Sequence, residues 1–490
     1  MDFSRLITLV EQGRFSVDDL DSISDQNGHL FLFSDLKKTY KSHIYWHEEF
    51  LDLRSACMLL DPDRPRLMQS FPRKKILNLL QQLHLYGLFE VWHLESLLAY
   101  VTAGMEKRGV DLDVQKLKMF SSELEDLIQK ENANLVNKIG KDVNLNSPKQ
   151  VENLLFNELK LPTSGIKKNK TGLSTDSDTL TYLAQFSEIP EIILRYRSFT
   201  KLLNGFVIPL LRLLSGQSTV YPTIRQIGTA TGRIVYEKPN LQNIPVKDDL
   251  GKKIRECIIA PPGKILVRAD YSQIELRVLA HLSSDPYLVK AFVEGKDIHR
   301  ETAKLIFNLS DERDVTPSQR TIGKVVNFSI LYGMSAYGLA KSLGVTPEVA
   351  KEILATFFRN LSGVTSYFEK VKKEADSKGF VKSILGRLRW VSSFKGTEQE
   401  RIIKNTPIQA SASDIIKSSM VKLAKKFSNE GLGATFIYLQ IHDELLVVTE
   451  EEQRDVVSDI MKHEMENAVS LMVPLRVEIG FGKNWSEAMS

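Results

Sequence analysis

The sequence predicts an α+β protein with a small α/β domain at its amino-terminal end, on three observations. Lys264-Ile-Leu-Val-Arg-Ala-Asp270 is an apolar, β-rich run leading into the helical pattern Ile274 to Leu282. Thr435-Phe-Ile-Tyr-Leu-Gln-Ile441 and Leu445-Leu-Val-Val-Thr449 flank a three-residue polar tip, the pattern of a tight hairpin. Between them, residues 284–376 have mainly helical periodicity, a helical insertion in a strand-bearing frame.

The remaining elements follow in order. Residues 1–92 mix short segments: a strand-like His29-Leu-Phe-Leu-Phe33, a loop at Asp61-Pro-Asp-Arg-Pro65 and a helical pattern over 73–88. From His93 to about Leu214 the periodicity is mostly helical, with a long amphipathic stretch from Leu117 to Lys138. It is broken by the polar loop Pro162–Gly172, where Lys167, Lys168 and Lys170 stand with no acid among them. Such a loop is either a solvated tip or a contact to a phosphate backbone.

Composition narrows the class. A chain of 490 residues, at about 100 to 200 per domain, predicts two to four domains. Apolar residues at 42% and charged residues at 26% exclude a disordered tail. The net charge of +4 is too even to name a partner, so any nucleic-acid signal has to be local. Cys57 and Cys257 are too few for a disulfide framework or a cysteine zinc site, which points to a reducing compartment. The most apolar stretch, Gly205 to Leu214, is broken by Pro209 and Arg212, so no membrane span is expected. The start of the chain lacks a basic-then-apolar pattern, so export is not expected either. No repeat period and no Gly-x4-Gly-Lys-[Ser/Thr] phosphate loop occurs.

Two acids sit where strands end, Asp270 and, in the hairpin tip, Asp443. A carboxylate there needs solvent, a partner or a metal. In the helix predicted over 317–333, Arg320, Lys324, Phe328 and Tyr332 recur every fourth position, and at about 40° of drift per step they share one slowly winding face. The opposite face carries Ile322, Val325, Val326 and Ile330 for packing. Two cations followed by two rings suit a polyphosphate with a flat base beyond it, although a plain amphipathic helix also alternates in this way.

Asp270-Tyr-Ser-Gln-Ile-Glu-Leu-Arg277, Arg320-x3-Lys324-x3-Phe328-x3-Tyr332-Gly333 and His442-Asp-Glu444 resemble motifs A, B and C of the family A DNA polymerases, the bacterial DNA polymerase I type. Thr231-Gly-Arg233, Pro239-Asn-Leu-Gln-Asn-Ile-Pro245, Gly295-Lys-Asp-Ile-His299, Asn405-x3-Gln409 and Val477-Glu-Ile-Gly-x-Gly-x-Asn-Trp485 match as well, so the resemblance covers about residues 93–490.

It implies a right-hand polymerase fold: an entry segment over 93–113, a thumb over 114–225, a palm from 226–283 and 377–490, and fingers over 284–376. It also implies that Asp270 and Asp443, with Tyr271 and the accessory acid Glu444, hold two Mg²⁺ ions, with Mn²⁺ as a possible substitute. Gln273, Glu275, His299, Arg320, Lys324, Phe328 and Tyr332 would bind the deoxynucleoside triphosphate. Lys324 would protonate the departing pyrophosphate. Glu275 would be the steric gate against a ribose 2′-hydroxyl, and Phe rather than Tyr at 328 is similar to members that discriminate against dideoxynucleotides. Arg233, Asn240, Gln242, Arg401, Asn405, Gln409 and His442 would face primer-template DNA, and Lys167, Lys168 and Lys170 would touch its phosphates.

The activity implied is DNA-directed DNA synthesis by a monomer, placed in the cytoplasm with the nucleoid in a bacterial or phage setting, with an organelle left open. Accessory proteins are not readable from the chain. An RNA polymerase of the single-subunit kind and a catalytically silent DNA-binding protein are the alternatives. Glu275 argues against the first and the intact acids against the second.

Three departures from the pattern stand out. Ser329 replaces a usual Gly, Thr321 a frequent Arg, and Val235-Tyr-Glu237 a mostly Ser segment, which is expected to add bulk and negative charge near the DNA path. Cys57-Met-Leu-Leu-Asp-Pro62 resembles the late part of a 3′ to 5′ exonuclease domain, yet no Asp-x-Glu metal motif occurs in residues 1–92. That region is therefore expected to be a shortened, inactive remnant, with no proofreading and no room for a 5′ nuclease. His43 and His47, with Glu48 adjacent, lack the His-Glu-x-x-His order and are read as ordinary histidines.

Overall fold

The computed structural model describes residues 3–12, 14–17, 30–33, 35–42, 50–63, 71–169, 172–245 and 249–489. His43, His47 and Glu48 lie outside them, as does Lys170. The chain forms two compact units, one from residues 1–108, 223–237 and 263–481, the other from 109–222, 238–262 and 482–490.

The first unit is organised on a four-stranded sheet ordered Phe436–Ile441, Glu444–Glu450, Lys264–Tyr271, Val477–Gly482. Leu266, Val267 and Leu445 to Val448 are fully buried, which is why these strands read as continuous apolar runs. The antiparallel register sets Asp270 opposite Glu444 and Ala269 opposite Leu445. Behind the sheet runs the long helix Gly396–Asn429, packed against the helices Phe89–Arg108 and Ile274–Ser283. Pro407 lies inside it and removes one backbone donor from the helix.

The helical insertion is punctuated by side-chain caps. Asp285, Asp297, Thr316, Ser335 and Thr346 each accept a backbone N–H at a helix start, and Pro follows three of them. At Thr316 the cap is reciprocal, because Gln319 returns a bond to the Thr316 backbone.

Toward the amino-terminal end, Phe15–Val17, Leu30–Phe33 and Leu51–Asp52 form a parallel sheet. The core beside it, from Leu6 to Trp92, is continuous with Leu388 and Trp390. A cluster of four paired charged side chains is sealed inside this unit: Glu95, Arg387, Asp414 and Lys417, each no more than 1% exposed. Arg387 Nε donates to Asp414 Oδ1 at 2.7 Å and its Nη2 pairs with Glu95, which also takes Lys417.

In the second unit the helices Val114–Ile139 and Ile189–Leu202 pack against each other, with Leu135, Leu154, Leu180 and Ile193 in its core. The polar loop expected over 162–172 contains a short hairpin, Lys168–Asn169 with Gly172–Leu173.

Candidate active site

The sheet brings three carboxylates to one end. Asp270 is the last residue but one of its strand, Glu444 faces it across the ladder, and the Tyr271 N–H donates to the Asp443 carbonyl at 3.1 Å. The turn that presents Asp443 depends on His442, whose φ of 49° lies in the left-handed region. Arg268 stands two residues before Asp270, so strand alternation puts both on one face. Its Nη2 donates to Asp270 Oδ2 at 2.6 Å and its Nε pairs with Glu444. Burial, together with Glu275, Asp270 and Glu444 and against Arg233, pushes the Asp443 carboxyl up to about 7. Burial likewise raises Asp270, against the pull of Arg268.

Among the described residues no three His, Cys, Asp or Glu side chains are already arranged around a metal position. The donor set nevertheless fits a hard divalent cation. It is all carboxylate oxygen, Asp270 and Asp443 remain partly open to solvent, and the field there already draws in one cation, the Arg268 guanidinium. The Tyr271 ring is buried on the other side of the strand, with the hydroxyl donating to the Met465 carbonyl at 2.6 Å and beside Ser419 Oγ, so its side chain faces away from the carboxylates. Glu444 is buried and held by Arg268.

Glu275 is 6% exposed, in the first turn of the Ile274–Ser283 helix. It accepts from Arg233 Nη2 at 2.5 Å, while burial raises its carboxyl against the pull of Arg233. Gln273 begins that helix at φ 48° and accepts from Ser272 Oγ at 2.8 Å. Arg233 is placed by a tight turn: Gly228 N–H donates to its carbonyl, and Gly232 holds φ +79° with Arg387 directly behind it.

The predicted helix is present as Pro317–Leu331, with Tyr332 capping its end. Phe328 and Tyr332 are 38% and 39% exposed, and their rings stack at 6.3 Å with an 11° interplanar angle. Lys324 is exposed beside them, while Val326 and Ile330 are buried on the opposite face. Arg320 is not free of acids, because its Nε donates to Asp297 Oδ2 at 2.7 Å.

His299 is buried next to Phe328 and takes the Asn327 amide donor on Nδ1 at 3.0 Å. Asn327 Oδ1 in turn accepts from Thr302, which fixes the amide's orientation and leaves the histidine proton on Nε2. Burial, with Arg320 and Lys324 and against Asp297, lowers this imidazole to about 4, so it is a neutral donor at ordinary pH. The helices carrying His299 and Arg320 approach so closely that a Cβ on Gly323 would lie 2.2 Å from the His299 carbonyl oxygen.

Arg401, Asn405 and Gln409 recur every fourth residue on the long helix. Arg401 is exposed beside Gly333, and the other two are half-buried. His442 is exposed next to Asp443. In the second unit Asn240 is exposed and Gln242 half-buried around the turn Leu241–Asn243, and Lys167 and Lys168 are exposed.

The departures resolve differently from expectation. Ser329 and Thr321 turn their hydroxyls back onto the carbonyls of Val325 and Pro317 in their own helix, so Ser329, which is buried, adds nothing to the open ring face. Tyr236 is fully buried and Glu237 pairs with Arg225, so the expected bulk points into the core and the expected charge is matched.

Sequence reasoning missed Arg268, Asp297 and Asn327 as partners of the site. The two-residue spacing of Arg268 and Asp270 was the available signal for the first. Asp297 lies inside the Gly295 to His299 motif, and Asn327 gave none.

Residues 114–487 match the sequence model for DNA polymerase family A. The chain is 43% identical over 402 residues to a DNA polymerase I of Caldicellulosiruptor bescii, covering 81% of this chain and 47% of that protein. It is 40% identical over 402 residues to the thermostable DNA polymerase I of Thermus aquaticus, covering 80% and 48%. The chain thus spans about half the length of the curated relatives it matches. Among solved structures, the POL domain of Pol1 from M. smegmatis, in complex with DNA primer-template and dNTP, superposes with a TM-score of 0.87 at 31% identity, covering 94% of this chain and 87% of that one. With three quarters of its length under one family model and a matching polymerase-domain fold, the chain belongs to DNA polymerase family A.

Proposed function

We propose that this protein is a template-directed DNA polymerase that extends a primer 3′ end with deoxynucleoside triphosphates. The observation that carries the reading is the group of carboxylates at one end of the sheet: Asp270 faces Glu444 across the ladder and the Tyr271 N–H holds the Asp443 carbonyl. The stacked, exposed rings of Phe328 and Tyr332 supply the apolar face that goes with it. Members of the family depend on divalent metal, and Asp270 and Asp443 are the residues that would hold two Mg²⁺, or Mn²⁺ in their place, with any Tyr271 contribution coming from its main chain. Such ions would supply activation of the primer hydroxyl and charge neutralisation for the pyrophosphate.

The protein's own groups do the rest. Arg320 and Lys324 attract the triphosphate, and Lys324 stands ready to give its proton to the departing pyrophosphate. Neutral His299 donates from Nε2, and Phe328 and Tyr332 offer stacking area to the base. Glu275, held by Arg233, blocks a 2′-hydroxyl, and Gln273 lies two residues before it in the chain. Arg233, Asn240, Gln242, Arg401, Asn405, Gln409 and His442 are assigned to minor-groove contacts, and Lys167, Lys168 and Lys170 to phosphates. The thumb, palm and fingers boundaries given above are part of this proposal, as is the absence of a 3′ to 5′ nuclease in residues 1–92.

Primer extension on matched and mismatched 3′ ends, with deoxy- or ribonucleotides, tests it using the native protein and Asp443→Ala. Extension with deoxynucleotides by the native protein alone is expected. Equal extension by both proteins overturns the acid assignment, ribonucleotide preference overturns the gate, and mismatch removal overturns the claim about residues 1–92.

A further inference from the structure

Tyr236 has a fully buried side chain. It lies in the strand Val235–Glu237, paired to Thr223–Arg225 with Ile224 opposite, three residues beyond Arg233. Its phenol oxygen accepts the Gln440 N–H at 3.0 Å. Gln440 belongs to Phe436–Ile441, which is an edge strand of the central sheet and carries a register shift between Ile437 and Leu439. An edge strand leaves alternate N–H groups without a neighbouring strand, and a buried one needs another acceptor. Gln440 also donates from Nε2 to the His442 carbonyl at 2.6 Å, inside the turn that presents Asp443.

One short path therefore joins the segment of Arg233, the partner of Glu275, to the turn of Asp443. A serine oxygen, carried on Cβ, is set back from where the phenol oxygen sits by the depth of the ring.

We propose that Tyr236 is a positioning residue for the Asp443 turn, its hydroxyl pinning Gln440 and thereby the placement of Asp443 relative to Arg233 and Glu275. This rests on the polymerase reading above. The ring packs like any aromatic core residue, and the oxygen is the part of Tyr236 that acts on the turn, through Gln440. A displacement of the turn by a fraction of an ångström acts on the chemical step more than on nucleotide binding.

Tyr236→Phe keeps the ring and deletes only the acceptor. Single-nucleotide addition by this variant is expected to lose kcat by about tenfold while KM for the nucleotide moves by less than about twofold. DNA affinity and melting temperature should stay near native, and the Gln440 amide should lose hydrogen-exchange protection. Tyr236→Ser should show the same kcat loss together with a lower melting temperature from the emptied ring space. Native kcat in Tyr236→Phe, or a melting-temperature loss with no change in kcat, overturns the proposal, as does unchanged protection at Gln440. A native protein that fails to extend any primer refutes the polymerase reading instead, and exchange at Gln440 then still decides whether the hydroxyl holds the turn.

Discussion

Arg387→Met removes one positive charge from a cluster of four that water does not reach. In the native protein Glu95 and Asp414 face Arg387 and Lys417, and the four charges balance. Ser383 Oγ adds a bond to Asp414 Oδ2 at 2.5 Å, and Lys417 donates to the Gln226 carbonyl at 2.8 Å. Methionine fills much of the volume but leaves Asp414 with Ser383 and without its main cation. Breaking a buried pair from one side costs about 3 to 5 kcal/mol, because the remaining charge stays desolvated and uncompensated. For a unit of this size that is a fall of about 4 to 7 °C in melting temperature.

The sign of the pH dependence follows from Asp414. Burial already raises its carboxyl against the pull of Arg387, and without the arginine it rises further. Above the ordinary aspartate range the variant's folded state then keeps a proton that its unfolded state has released. Its stability therefore falls as pH rises through that window and recovers as pH drops. Urea unfolding at pH 5.5 and pH 8 should show the larger deficit at pH 8. Adding Asp414→Asn to Arg387→Met should recover about 2 kcal/mol of the loss at pH 8. A deficit under about 1 kcal/mol, or one equal at both pH values, would refute the claim that an unpaired buried carboxylate is the cause.

Two further outcomes are expected. The His299 imidazole should titrate by NMR at about 4, so it withdraws stability as pH falls from the unfolded histidine range toward that value, and Asn327→Asp should move the titration upward by supplying a carboxylate at Nδ1. Gly323→Ala should destabilise by about 1 to 3 kcal/mol in a thermal melt, since its methyl has backbone rather than a flexible side chain in its way.

Much of this was legible from neighbours in the chain. The Lys264–Tyr271 strand, the hairpin and the Pro317–Leu331 helix announce themselves by period and by their ends, and the structure places them within a residue or two of expectation. Phe328 and Tyr332 do share one face, as their four-residue spacing requires, and that face is open. The direction of Tyr236 was not legible, because a strand's alternation says which residues share a face and not which face meets the core. Nor was the coupling of Asp297 to Arg320, or of Glu95 to Arg387, since neither pairing leaves a periodic trace.

The amino-acid order by itself determined the class of fold, the strand ends that carry Asp270 and Asp443, and the face of cations and rings, all of which are set by interactions a few residues long. Tertiary structure alone decided that Arg268 bridges Asp270 and Glu444, that the Tyr271 ring turns away from them, that Asn327 keeps the His299 proton on Nε2 and that Tyr236 reaches Gln440. Those facts depend on which surfaces lose water together and on the register between distant segments, and both exist only once the chain has closed on itself.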